Sequence, residues 1–186
     1  MSPWSAIAMD STLRLGLHSF LRNVDLFSEL DDDALATMVP ICQPFMRQPG
    51  EPLFSQGDPP DGMYMVERGE VSVQMTGADG HRVTLAELGA GAVVGEMSLA
   101  TNAPRSAAVV AVSLCHGYWI GRARFDALRR VRHPAATQIL LNIGRTLEMR
   151  RRITETRLRA LLDDPDRADK LLQSPTRDYL VVIQKA

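Results

Sequence analysis

Three textures follow one another along the chain. Over residues 10–38 the apolar positions Leu13, Leu15, Leu17, Phe20, Leu21 and Val24 recur loosely at helical intervals. Phe27-Ser28-Glu29-Leu30 then leads into Asp31-Asp32-Asp33, placed where the first turn of a second helix favours negative charge. From Pro40 to about Ile120, glycines and prolines punctuate short segments of alternating apolar and polar residues. Val71, Val73 and Met75 are predicted on one face of a strand, with Ser72, Gln74 and Thr76 on the other. Val83 and Leu85 alternate with Arg82, Thr84 and Ala86, and the intervening Thr76–Gly80 has the composition of a hairpin turn. Ala107 to Cys115 is a continuous Val-rich run, which predicts a strand buried on both faces or nearly so.

After Gly121 the glycines almost vanish. A short helix is predicted over 122–131, broken by Pro134. A long helix follows over 135–162, with Ile139, Ile143, Leu147, Leu158 and Leu161 on its apolar side and Gly144 as a weak point. Asp163-Asp164-Pro165 ends it, and a polar tail carries the strand-like run Tyr179–Ile183. Many short strands with glycine turns predict a mainly β domain, a sandwich, barrel or jelly roll, with helices at both ends. The chain divides at this stage into a helical segment 1–38, a β region 39–120, helices 121–162 and a tail 163–186.

Composition narrows the function classes. A chain of 186 residues, 45% apolar and 23% charged, can bury a core without disulfides or a structural metal. No apolar run approaches the roughly 20 residues that cross a bilayer, and the N-terminus lacks the charged start and compact apolar stretch of a signal peptide. Cys42 and Cys115 form no metal spacing and are expected as buried thiols in a reducing, cytoplasmic setting. The net charge of −1 hides a segregation. Residues 1–120 hold 6 Arg and 14 Asp/Glu; residues 121–160 hold 11 Arg and 3 Asp/Glu. The chain as a whole has no attraction for nucleic acid or membrane, although the basic segment can act locally. His18, His81, His116 and His133 are scattered, and neither a P-loop, G-x-S-x-G nor HExxH occurs, so an enzyme reading has little support.

The segment Val94-Gly95-Glu96-Met97-Ser98-Leu99-Ala100-Thr101-Asn102-Ala103-Pro104-Arg105-Ser106-Ala107 carries the candidate chemistry. Gly95 lets the backbone approach a ligand. The turn from Glu96 to Ala100 presents unpaired backbone N–H groups suited to an anion. Arg105 supplies a permanently charged fork that matches phosphate oxygens bidentately. Glu96 would repel a bare phosphate and fits better as an acceptor for sugar hydroxyls. Together these residues describe a ribose-phosphate clamp; the alternative is a surface Arg105–Glu96 ion pair worth about 0–1 kcal/mol.

In order and spacing this segment resembles the phosphate-binding cassette of cyclic-nucleotide-binding domains, as in catabolite activator protein and the regulatory subunits of cyclic-AMP-dependent kinase. Gly95-Glu96-Met97-Ser98-Leu99 and Pro104-Arg105-Ser106-Ala107 match its two halves. Leu26–Leu30, Gly50–Asp58, Met63–Val71 and Leu88–Gly91 resemble further family elements, and the resemblance covers about residues 20–160. It implies a jelly roll in which Arg105 pairs with the cyclic phosphate and Glu96 accepts from the ribose 2′-hydroxyl. Gly95 and the backbone of Met97 and Ser98 complete the clamp, and Ser106 touches phosphate or a guanine amino group. Arg150, Arg151 and Arg152 are the region implied for a base cap, a guanidinium stacked on the purine. Val94 stands where the family usually has Phe and Ser98 where it usually has Ala, the latter placing a hydroxyl near the sugar.

The function implied is a cyclic-nucleotide sensor, for cyclic AMP ahead of cyclic GMP, with no further cofactor. The ligand would bind between the cassette and helix 135–162, whose movement would signal to a separate effector protein. That helix could also pair two subunits through Ile143, Leu147, Leu158 and Leu161, or fold back onto the β region. Too few residues follow it, with too acidic a balance, for a winged helix-turn-helix, so no DNA-binding domain is expected. The alternatives are a non-binding scaffold on the same fold, acting through the basic helix 145–159, or an adaptor for nucleic acid or a membrane surface. Arg145, Arg150, Arg151, Arg152, Arg157 and Arg159 supply that basic face, which in the blander reading is simply solvated.

Overall fold

A computed structural model describes residues 11–163, apart from the side chains of residues 11–13, 157, 160 and 161. The strand-like run 179–183 and the side chains of Leu13, Arg157 and Leu161 thus lie outside the described residues. Helix α1 (Ser11–Arg22) leads through a 3-10 turn at Asp25–Phe27 to α2 (Asp32–Met38). Asp31 caps α2, its Oδ1 accepting from the Ala34 N–H at 2.8 Å, with Asp32 and Asp33 in the first turn. The acidic trio therefore works as its position predicts.

Eight strands follow: β1 (Cys42–Arg47), β2 (Pro52–Phe54), β3 (Gly62–Arg68), β4 (Val71–Thr76), β5 (Arg82–Leu88), β6 (Val93–Val94), β7 (Ala108–Ala111) and β8 (Cys115–Gly121). They form two antiparallel four-stranded sheets, ordered β1-β8-β3-β6 and β2-β7-β4-β5. This is the jelly roll expected from the short, glycine-punctuated segments. The four-residue helix α3 (Met97–Ala100) sits between β6 and β7. Helix α4 (Arg122–Arg130) and the 30-residue α5 (Pro134–Asp163) close the described chain.

Two cores share the first sheet. Met63, Met65, Tyr118 and Ile120 face outward onto a helical layer of Leu17, Leu21, Phe27, Met38, Phe125, Ile139 and Ile143. Tyr64, Val66 and Cys115 face inward and pack with Val71, Val94, Val109 and Leu88 between the sheets. A strand covered on both faces buries successive residues, as β3 does from Gly62 to Val66.

Three details depart from the hydrophobic pattern. On β4 and β5, Val73 pairs with Ala86 but Gln74 pairs with Thr84, so Leu85 is an extra residue and the faces change phase. Ala86 and Leu88 are buried while Met75 and Val83 are exposed, which reverses the alternation expected there. The Ala107–Cys115 run is not one strand buried on both sides. Strand β7 ends at Ala111, alternates partly buried with buried positions, and gives way to exposed Val112 and Leu114 before β8. Finally, Leu15 is exposed, outside the α1 stripe formed by Leu17 and Leu21.

The long helix folds back rather than offering its whole apolar side to a second copy. Ile139 and Ile143 are fully buried, Leu147 packs against the same core, and Leu158 is exposed. Buried Asn142 fixes the contact, its Nδ2 donating to the Leu26 carbonyl at 3.0 Å.

Candidate functional site

Three elements place Arg105 in the wall of a cleft. Ser55–Asp58 forms a tight turn in which the Asp58 carboxylate accepts from the Ser55 N–H at 2.7 Å. The Gly57 N–H donates to the Arg105 carbonyl at 2.8 Å, and the Arg105 N–H donates to the Asp58 carbonyl at 2.9 Å. The arginine is thus tied to this turn by its backbone before its side chain acts. The side chain is 4% exposed. Its Nη1 donates to the Gly95 carbonyl at 2.9 Å, and its Nη2 donates to Asp61 Oδ1 and to the Gly62 carbonyl, both at 2.5 Å. The guanidinium lies over the Phe54 ring, 4.0 Å from its centroid. Nε is buried without a partner.

Gly95 has φ +75°, and a Cβ there would collide with Arg105 Nη1. Only glycine gives both that conformation and that approach. Glu96 opens α3 and is buried. Its Oε1 accepts from Arg150 Nη1 at 2.7 Å, and the two side chains are 6% and 17% exposed. Burial makes this pair far less screened than a surface one. Ser98 Oγ lies 2.6 Å from the Gly62 carbonyl and 2.7 Å from the Gly95 carbonyl. Arg122 donates to the carbonyls of Ser98, at 2.7 Å, and Thr101, so α4 holds the far end of α3.

Around these groups opens a cleft of about 180 Å³. Gly95, Glu96, Met97, Ser98, Arg105 and Ser106 all line it, together with apolar Phe54, Val73 and Val109 and with Arg150 from α5. It offers two guanidiniums, one carboxylate, the backbone of a short helix and an apolar flank. That set suits a small anion carrying hydroxyls and a flat apolar group.

The chain matches the sequence model of the cyclic nucleotide-binding domain over residues 47–131. The N-terminal domain of a transcriptional regulator from Streptomyces coelicolor superposes with a TM-score of 0.62 at 32% identity, covering 69% of this chain and 92% of that one. The chain belongs to the cyclic nucleotide-binding domain family.

The Thermus thermophilus catabolite activator protein gives a TM-score of 0.65 at 31% identity, over 74% of this chain and 62% of that structure. Among curated relatives, the acetyltransferase Pat of Mycolicibacterium smegmatis is 32% identical over 67% of this chain and 37% of its own. A cAMP-dependent protein kinase regulatory subunit of Yarrowia lipolytica is 33% identical over 65% of this chain and 30% of its own. The chain spans well under half of either curated relative.

Within the cyclic nucleotide-binding domain, the expected cassette residues line one cleft, and the alternative of an Arg105–Glu96 ion pair is not what forms. Arg105 does not pair with Glu96; its ion pair is Asp61, and Glu96 pairs with Arg150. The Ser98 hydroxyl bonds backbone carbonyls of Gly62 and Gly95. Of the three arginines marked for a base cap, only Arg150 lines the cleft. Arg151 and Arg152 are exposed and paired with Glu148 and Glu155. Arg145 pairs with Glu29, so much of the basic face is matched within the chain. Sequence reasoning missed Asp61, Phe54 and Arg122. The available signal was indirect: a buried arginine needs a carboxylate, and Asp61 closes the Gly57-Asp58-Pro59-Pro60 loop. No helix among the described residues is long and apolar enough to cross a membrane.

Proposed function

We propose that this domain is a cyclic-nucleotide sensor that takes cyclic AMP in preference to cyclic GMP and reports it through α5. The observation that carries the reading is the Arg150–Glu96 pair. Glu96 is the carboxylate suited to a ribose hydroxyl, and Arg150 belongs to the helix that must transmit the signal. A ligand that engages Glu96 changes what α5 is bound to, so occupancy and helix position become linked. Arg105 receives the cyclic phosphate, with the α3 backbone beside it. Met97 and Ser106 stand at the sides, and Arg150 closes over the purine. The output is a contact made by α5, or by the chain beyond it, with a separate effector. The domain regulates and carries out no chemistry of its own.

The relatives support a cyclic phosphodiester as the ligand class, and the buried Glu96 adds a selectivity rule. A cyclic phosphate carries one charge, whereas the open phosphate of 5′-AMP carries close to two and meets Glu96 at short range. Competitive titration with cyclic AMP, cyclic GMP and 5′-AMP tests the reading. The expected order is cyclic AMP, then cyclic GMP, with 5′-AMP weakest by at least tenfold. Equal binding of 5′-AMP would remove Glu96 from the site, and binding of none would leave the fold as a scaffold.

A further inference from the structure

Ser98 Oγ approaches the same two carbonyls that Arg105 already holds, those of Gly62 and Gly95. A hydroxyl has one proton to donate, and each carbonyl already receives a guanidinium N–H. In the resting protein Ser98 is therefore a surplus donor. A hydroxyl whose acceptors are already served, lining the same cleft as the anion-binding fork, can hold either carbonyl alone in another state.

The N–H count of Arg105 supplies that use. A guanidinium has five N–H bonds in a fixed plane. Both on Nη2 are taken, by Asp61 and the Gly62 carbonyl; one on Nη1 is taken by the Gly95 carbonyl; Nε is free. A bidentate grip on phosphate uses one of two edges of the plane, Nε with Nη2 or Nη1 with Nη2. Either edge needs an N–H of Nη2. Phosphate capture therefore obliges Nη2 to leave Asp61 or the Gly62 carbonyl. Asp61 is a poor choice to leave, being the only carboxylate paired with this buried cation among the described residues. The Gly62 carbonyl is buried, and losing its donor would orphan it.

We propose that Ser98 is a positioning residue for anion capture: its hydroxyl takes over the Gly62 carbonyl as Arg105 Nη2 turns to the ligand phosphate. The exchange leaves no buried acceptor unpaired and keeps the Asp61 ion pair intact. This rests on the cleft being a cyclic-nucleotide site. It assigns the serine at this cassette position a role in affinity rather than in stability.

The test is calorimetric titration of cyclic AMP into the wild type, Ser98→Ala, Asp61→Ala and the double variant, with unliganded melting curves for each. Ser98→Ala should melt within about 2 °C of the wild type, because Arg105 still serves both carbonyls. It should bind cyclic AMP about tenfold more weakly, the cost of one orphaned buried carbonyl. In the Asp61→Ala background Nη2 has a free N–H from the start, so adding Ser98→Ala should cost less than about twofold. Unchanged affinity in Ser98→Ala, equal losses in both backgrounds, or failure of unliganded Ser98→Ala to fold would each overturn the proposal. A wild type that binds neither cyclic AMP nor cyclic GMP would instead overturn the assignment of the cleft, and this role with it.

Discussion

Replacing Arg150 with alanine is the perturbation whose size follows most directly from the geometry. Glu96 is 5% exposed, and Arg150 Nη1 is its charged partner at 2.7 Å. Removing one member of a fully buried pair costs about 3–5 kcal/mol, because the other charge is left uncompensated. Here the cleft admits water and the Arg150 side chain is 17% exposed, so the cost is discounted to about 1–3 kcal/mol. For a chain of this size each kcal/mol lowers the melting temperature by about 2–4 °C. Scanning calorimetry of the unliganded protein should therefore show a fall of about 2–12 °C. Glu96→Gln supplies the control. With no charge left at position 96, adding Arg150→Ala should cost less than about 1 kcal/mol. The reasoning fails if Arg150→Ala melts with the wild type, or if the Glu96→Gln background does not reduce its effect.

Three further outcomes are expected. Gly95→Ala forces a side chain into the left-handed region and onto Arg105; it should destabilise by about 1–3 kcal/mol and weaken cyclic-nucleotide binding, read by melting and titration. Arg122→Ala frees the Ser98 and Thr101 carbonyls; amide exchange over Met97–Thr101 should accelerate, and unchanged protection would refute α4's hold on the cassette. Burial pushes the Cys42 thiol up to about 12 and raises Cys115 in the same direction. Both should resist thiol reagents at neutral pH until the chain is denatured. Because the unfolded Cys42 thiol ionises from about pH 9 and the folded one does not, the unfolded state binds fewer protons between these values. Stability should therefore fall as pH rises from about 9 towards 12, and Cys42→Ala should flatten that fall.

The architecture was legible because its signals are local. Glycine-punctuated alternation marked the strands, Asp31 marked the start of α2, and Pro134 marked the α4–α5 boundary. The extra residue at Leu85 was not legible, since a bulge shows only when two strands are paired and the register counted. The end of β7 was hidden by composition: Val112 and Leu114 are as apolar as their neighbours but sit in a turn. The cassette residues were legible from their spacing, and the cleft does gather them. Their partners were not. Asp61 reaches Arg105 across 44 positions, and Arg150 reaches Glu96 across 54. Such pairings depend on how β3 and α5 are laid against the cassette, which no short-range pattern encodes. The basic helix divides the same way: Arg145 and Arg150 pair with distant Glu29 and Glu96, whereas Arg151 and Arg152 pair with Glu148 and Glu155 at the i,i+3 and i,i+4 spacings that the helical pattern already offers.

The central claim is that Arg105 and Glu96 form a working nucleotide site. Isothermal titration of cyclic AMP into the purified chain and into Arg105→Lys tests it most directly. Lysine keeps the charge but loses the fork. The account predicts one site per chain with micromolar or tighter affinity in the wild type, and a loss of at least tenfold in the variant. Absence of heat and of any thermal shift with either cyclic nucleotide, or equal affinity in Arg105→Lys, would contradict it.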